Sequence, residues 1–233
     1  MTQPHILRGS GFMNREQLNV RAQKLVQRAI DKIDKNPDDA KAYYKLGVLL
    51  TEFKDYEQAE QLLLKALGLF SGKTELDLLN YGLGNVLYSA NYFQKAINYF
   101  SKIKGQELKG EAILMTAQCE YALGNYKKSL AFALTINEDD RSKDMGAKQL
   151  IANIFLALGD FKNARKYFDL ILAKEPHNFE ANFQRGIITL VLEGEEQAAN
   201  YFKVAQKLDH ETFSKMRGQI IDIQKTIIAK HKK

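Results

Sequence analysis

One cysteine occurs in the 233 residues, so no disulfide can close within the chain, and a reducing compartment is the expected setting. Cys119 lies in the helical stretch Ala117-Gln118-Cys119-Glu120 with no base nearby in sequence to activate it, and reads as a small packing residue. The four histidines, His5, His177, His210 and His231, are scattered without cysteines or carboxylates at ligand spacing, so no metal centre is expected. No apolar run approaches the ~20 residues that cross a bilayer. The N-terminus also lacks the apolar segment of a signal peptide, and a cytoplasmic protein is expected. The glycines of Gly82-Leu83-Gly84-Asn85 echo a nucleotide loop but sit inside a helical pattern, not between a strand and a helix. No catalytic pairing or cofactor motif is found, and the expectation is a non-enzyme without a cofactor.

A one-signed surface is missing as well. Residues 40–209 carry 21 basic and 21 acidic side chains, so the formal charge of +6 arises at the two ends, chiefly in the last 24 residues with 6 basic against 2 acidic. A pI near 9.1 therefore does not imply a basic centre. The alternatives for Lys215, Arg217, Lys225, Lys230, Lys232 and Lys233 are a solvated helix end or contact with nucleic acid or an anionic lipid surface.

What is present is a repeat. An aromatic followed three residues later by a tiny residue recurs as Tyr56/Ala59, Phe93/Ala96, Tyr126/Ser129 and Phe161/Ala164, then weakly as Glu195/Ala198, at steps of 37, 33, 35 and 34. Such a period marks stacked helical hairpins. Each repeat resolves into two helical stripes: Tyr43, Leu46, Gly47 and Leu50, a break at Lys54-Asp55, then Ala59, Leu62, Leu63, Ala66 and Leu67. A glycine inside an exposed helix costs about 1 kcal/mol, so Gly47, Gly84 and Gly186 predict close helix contact. The pattern of a bulky residue, Leu-Gly, a short turn, Tyr-x-x-Ala and a later Ala resembles the tetratricopeptide repeat over residues 40–210. The matches continue with Leu83, Gly84, Leu87, Phe93, Ala96 and Phe100; with Ala117, Gly124, Tyr126, Ser129 and Phe132; and with Ala152, Gly159, Phe161, Ala164, Phe168 and Pro176. The fifth repeat keeps Gly186, Ala198, Phe202 and Ala205 but lacks the turn aromatic and the turn glycine.

The resemblance implies an all-α, right-handed superhelical solenoid of about five hairpins, near 40–76, 77–109, 110–144, 145–178 and 179–210. An N-terminal helix is expected over 14–39, with Leu18, Leu25, Ala29 and Ile33 apolar and Asn36-Pro37 as its stop. A capping helix and basic tail are expected over 211–233, with Phe213, Ile220, Ile223 and Ile227 as the stripe. Residues 1–13 lack periodicity and are expected to be disordered or tag-derived, with Met13 the natural start. The acidic run Glu138-Asp139-Asp140, beside Arg141 and Lys143, reads as a solvated connection.

The same resemblance implies that the first helix of each hairpin lines a concave groove. Fifteen positions map there: Tyr44, Val48 and Thr51; Tyr81, Asn85 and Tyr88; Leu114, Gln118 and Tyr121; Gln149, Asn153 and Leu156; Phe183, Ile187 and Leu190. About half are expected to be partly core. None carries charge, and amides stand at the equivalent place in three successive repeats, Asn85, Gln118 and Asn153. An amide offers both a donor and an acceptor to an extended peptide, and tyrosines add contact area at low entropic cost. Tyr44, Tyr81, Asn85, Tyr88, Gln118, Tyr121, Gln149 and Asn153 are the expected peptide-binding residues. The basic clamp of the family's chaperone-tail receptors is not matched, because Tyr44, Val48, Tyr81 and Leu114 occupy those places. The expected function is a protein-interaction scaffold with a protein or peptide partner. The alternatives are a peptide-sensing regulator and an accessory RNA-binding protein using the basic C-terminal helix.

Overall fold

Two helical stripes per repeat, each with one apolar face, must fold back on one another to bury those faces. The computed structural model, which describes residues 15–138 and 145–231, is all-α, with twelve helices and no strand among the described residues. They are α1 (Arg15–Lys35), α2 (Ala40–Glu52), α3 (Tyr56–Leu67), α4 (Lys73–Ser89), α5 (Phe93–Phe100), α6 (Gln106–Ala122), α7 (Tyr126–Glu138), α8 (Met145–Ala157), α9 (Phe161–Leu172), α10 (Phe179–Leu192), α11 (Glu195–Leu208) and α12 (His210–His231). Residues 1–14 and 139–144, which include Asp139 and Asp140 of the acidic run with Arg141 and Lys143, and the terminal Lys232 and Lys233 lie outside the described residues. The chain divides into two compact units, one ending at Ala112 and the other beginning at Ile113, inside α6.

In the first unit, α2 supplies Tyr43, Leu46 and Leu50, α3 supplies Ala59, Leu63 and Ala66, and α4 supplies Leu79, Leu83 and Val86 to one core. Val26, Ala29 and Ile33 of α1 pack against it. Leu25, expected on the inner stripe, is 40% exposed: α1 turns Val26 inward instead, one residue on. Leu18 lies where no side chain is described. The predicted glycine contacts take a specific form, a socket filled by a side chain of the second helix. A Cβ on Gly47 would stand 2.9 Å from Leu63 Cδ1, and one on Gly84 would stand 2.3 Å from Phe100 Cε1. The loop into α6 is fixed by buried Asp77, whose two carboxylate oxygens accept from the backbone of Lys104 (3.1 Å) and Gly105 (2.7 Å).

In the second unit, Ala117, Ala133, Leu150, Ile151 and Ile154 join α6, α7 and α8. Ala164, Phe168 and Ile171 of α9 meet Ala152 of α8 and Ala181 and Ile188 of α10. Gly186 repeats the socket, with Phe202 Cε1 at 2.6 Å from a Cβ built there. Buried Ser129 replaces the alanine of the other repeats by donating its hydroxyl to the Ala117 carbonyl at 2.7 Å, which satisfies a polar group that burial would otherwise penalise. Phe213, Met216, Ile220 and Ile223 of α12 close the end of this core.

Four turns share one local solution. Lys54, Asn91, Gly124 and Gly159 hold φ at 63°, 63°, 78° and 75°, each two residues before the turn aromatic. The following amide returns to a carbonyl five residues back, as in Asp55 to Leu50 and Asn125 to Glu120, both near 2.8–2.9 Å. This pairing closes the first helix through a left-handed residue and reverses the chain within three residues. The fifth hairpin turns differently. A glycine is present there one residue later than in the repeat pattern, Gly194 at φ 103°.

Candidate functional site

The sequence places tyrosines and amides on the first helices, one helical step away from each packing stripe, and all eight expected residues are half-buried. In the first unit they belong to α2 and α4. The Tyr44 ring lies over Gly82, whose missing Cβ would be 3.0 Å from Tyr44 Cδ2; glycine there lets the ring lie flat on the helix. Tyr81 packs at 5.9 Å on Phe100, the residue that also fills the Gly84 socket. Tyr88 meets the turn aromatic Phe93 edge-on at 5.5 Å.

Burial pushes the Tyr44 phenol above its ordinary range, and Tyr81 nearby adds to the shift. For Tyr81 burial again dominates, opposed by a hydrogen bond from the Asn85 side chain and reinforced by Glu111. Both phenols are therefore neutral donors at physiological pH. Asn85 differs from the expectation of an amide open on both sides: it serves Tyr81 one turn away, and its Oδ1 is buried without a hydrogen-bond partner.

In the second unit the corresponding residues lie on α6 and α8. Tyr121 packs on the turn aromatic Tyr126 at 5.3 Å, and its phenol is raised by burial, then by Tyr126 and Glu180. Gln149 Nε2 donates to Asn153 Oδ1 at 3.3 Å, a long bond across one helical turn that leaves further donors and an acceptor lone pair on these two amides. Gln118 is half-buried on α6.

The other seven positions divide. Val48 stays half-buried, and Thr51 bonds back to the Gly47 carbonyl at 2.7 Å. Leu114 and Leu156 are partly buried against the core. Phe183, Ile187 and Leu190 are buried outright, because α12 lies over α10 with Phe213 edge-on to Phe183 at 5.9 Å. The fifth hairpin thus contributes core, and none of its three mapped positions is among the eight expected peptide-binding residues.

The faces are not charge-free. Glu111 acts on Tyr81, and Glu180 acts on Tyr121 while accepting from Gln184 Nε2 at 2.9 Å. Each glutamate stands three residues before a mapped position, Leu114 or Phe183, which places it on the same helix face, while the tyrosine it acts on belongs to a different helix. Cys119 is fully buried and its thiol is pushed up to about 12, chiefly by burial and then by Glu120; it stays protonated. Among the described residues no group of three His, Cys, Asp or Glu stands close enough to hold a metal ion. In α12, Lys215 pairs with Glu211 at 2.6 Å and Lys225 with Asp222 at 3.7 Å, so two of the terminal cations are partly neutralised.

The family pattern described as Tetratricopeptide repeat matches residues 19–73 and 150–210, which contain the first and last of these hairpins. The chain belongs to the tetratricopeptide-repeat family. This tetratricopeptide array is 27% identical over 153 residues to the TPR repeat-containing protein MJ1428 of Methanocaldococcus jannaschii, a match covering 64% of the chain and 25% of that relative. The chain therefore spans only about a quarter of that protein's length. Among solved structures, PilF of Pseudomonas aeruginosa is similar with a TM-score of 0.68 at 15% identity, over 87% of this chain and 91% of that one. YrrB, a tetratricopeptide protein with an unusual peptide-binding site, gives 0.58 at 21% identity over 83% and 99%. MamA from Desulfovibrio magneticus RS-1 gives 0.61 at 17% identity over 75% and 97%. At these identities the structures establish the shared solenoid fold. Family and fold together are those of a protein–protein interaction scaffold, a class that is generally non-catalytic. No helix among the described residues is long and apolar enough to cross a membrane.

Proposed function

We propose that the chain is a non-catalytic adaptor that binds a segment of a partner protein on the tyrosine- and amide-bearing faces of its first helices. The observation that carries this reading is the half-buried state of all eight residues, beside a packing stripe buried almost completely. Side chains of this kind are held in place by their neighbours yet still offer surface, so binding orders little that is not already ordered. Tyr44, Tyr81, Tyr88 and Tyr121 supply apolar area with a neutral hydroxyl, and Gln118, Gln149 and Asn153 supply amides suited to a peptide backbone. Asn85 holds Tyr81 in position and acts through it.

YrrB, whose own peptide-binding site is described as unusual, lends the reading a precedent within the fold. The test is co-purification from native cells with the wild type and with Gln149→Ala plus Asn153→Ala, followed by mass spectrometry. The pair bonds only weakly within the chain, so its removal is expected to leave stability within about 0.5 kcal/mol of the wild type. Loss of a specific partner supports the proposal, and equal recovery of every partner refutes it.

A further inference from the structure

A second surface, which meets these faces only where Tyr126 packs on Tyr121, lies in the unit beginning at Ile113. The first turn of α7 and the turn between α8 and α9 enclose a shallow pocket of about 350 Å³ lined by Gly124, Asn125, Tyr126, Lys127, Lys128 and Leu158. Leu158 is 40% exposed, and so is Leu123 beside Gly124, although each ends a well-packed helix. Exposed Lys127 and Lys128 form the rim, and exposed Lys162 and Lys166 lie outside its lining on the first two turns of α9.

No acid stands in the first turn of α7 or of α9, where the helix dipole would favour one. Of the neighbouring carboxylates, Asp169 and Glu193 are paired with arginines, while Asp160 keeps its charge and acts on Lys162. Asp160 accepts from the Asn163 backbone at 3.1 Å and from its side chain at 2.7 Å. Asp169 takes Arg185 Nε at 2.7 Å and Arg165 at 3.8 Å, and Glu193 takes Arg165 Nη1. Lys127 and Lys128 therefore line an apolar recess, with Lys166 beyond it on α9 and Lys162 partly offset by Asp160.

We propose that this edge binds an acidic protein segment carrying an apolar side chain, which enters the recess against Leu158 and Tyr126 while flanking carboxylates meet the lysines. Complementary charge selects the acidic segment. A nucleic acid would use the lysines but has no aliphatic group for the recess, so the leucine separates the two. The surface is composed of second helices and turns and shares no residue with the faces of the first helices.

The experiment uses the full chain and a short fluorescein-labelled peptide with one leucine between runs of glutamate, read by anisotropy. Its comparison arms are the leucine-free glutamate peptide and single-stranded RNA. Lys127→Glu plus Lys128→Glu is expected to weaken peptide binding at least about tenfold, equivalent to about 1.4 kcal/mol. Because the reversal puts acids at a helix start, the melting temperature is expected to stay level or rise, which separates lost binding from lost folding. Leu158→Ser, at an exposed position, is expected to weaken the leucine peptide and leave the leucine-free one unchanged. Equal affinity of wild type and double variant, equal affinity for the two peptides, or RNA bound more tightly than the leucine peptide overturns the proposal.

Discussion

Lys54 sits in the left-handed region at φ 63°, a conformation that costs a branched or unbranched L side chain roughly 1–2 kcal/mol and glycine almost nothing. Gly124 and Gly159 fill the same place in later turns. Lys54→Gly is therefore expected to raise stability by about 0.5–1 kcal/mol after glycine's greater freedom in the unfolded chain is subtracted, measured as a higher melting temperature by circular dichroism. Asp209 illustrates a pH-dependent contribution. Its carboxylate caps α12 by accepting from the Thr212 hydroxyl at 2.7 Å and amide at 2.9 Å, and these bonds hold its pKa below the ordinary 3.8. The unfolded chain then takes up a proton first as pH falls, so the stabilisation is present above 3.8 and disappears as pH drops through the lower folded value. Asp209→Asn is expected to flatten that acid limb of melting temperature against pH and to leave its neutral region little changed. At this scale the sequence offered the tyrosines and amides as groove positions only through the family resemblance. It did not disclose that Asn85 turns to Tyr81 or that Glu111 and Glu180 approach the tyrosines, because those depend on side-chain directions and neighbouring helices.

Helices and turns repeat with small variations, and the sockets show why a glycine is retained in a helix. Gly84→Ala would drive a methyl into Phe100, at 2.3 Å, and is expected to destabilise by about 1–3 kcal/mol. Gly218 in α12 has nothing within 4 Å of the corresponding point, and Gly218→Ala is expected to stabilise by about 0.5–1 kcal/mol. Opposite shifts of the two melting temperatures check the assignment; shifts of the same sign would contradict it. Asp39, Asp55, Asp160 and Asn178 accept backbone amides at the starts of α2, α3, α9 and α10 and so fix where these helices begin. The direction of α1 was harder, since Leu25 and Val26 are adjacent apolar residues and only contact with the core decides which turns inward. The closed face of α10 was hidden for a related reason: nothing in its own sequence records that Phe213 will cover Phe183.

For the whole molecule, the repeat period and the family match agree on a tetratricopeptide array, and the two units each carry their own set of half-buried tyrosines and amides. Formal charge concentrated at the ends is compatible with this role, because the contacts proposed on the first helices rest on neutral phenols and amides. The most direct measurement places a photo-crosslinking amino acid at Tyr121 in one sample and at exposed Gln94 on second helix α5 in another, and irradiates both in native cells. Tyr121 is predicted to capture a partner that Gln94 does not, with the adduct lost when Gln149→Ala and Asn153→Ala are combined with it. Identical adducts from both positions, or an adduct at Tyr121 indifferent to the two amides, would contradict the account.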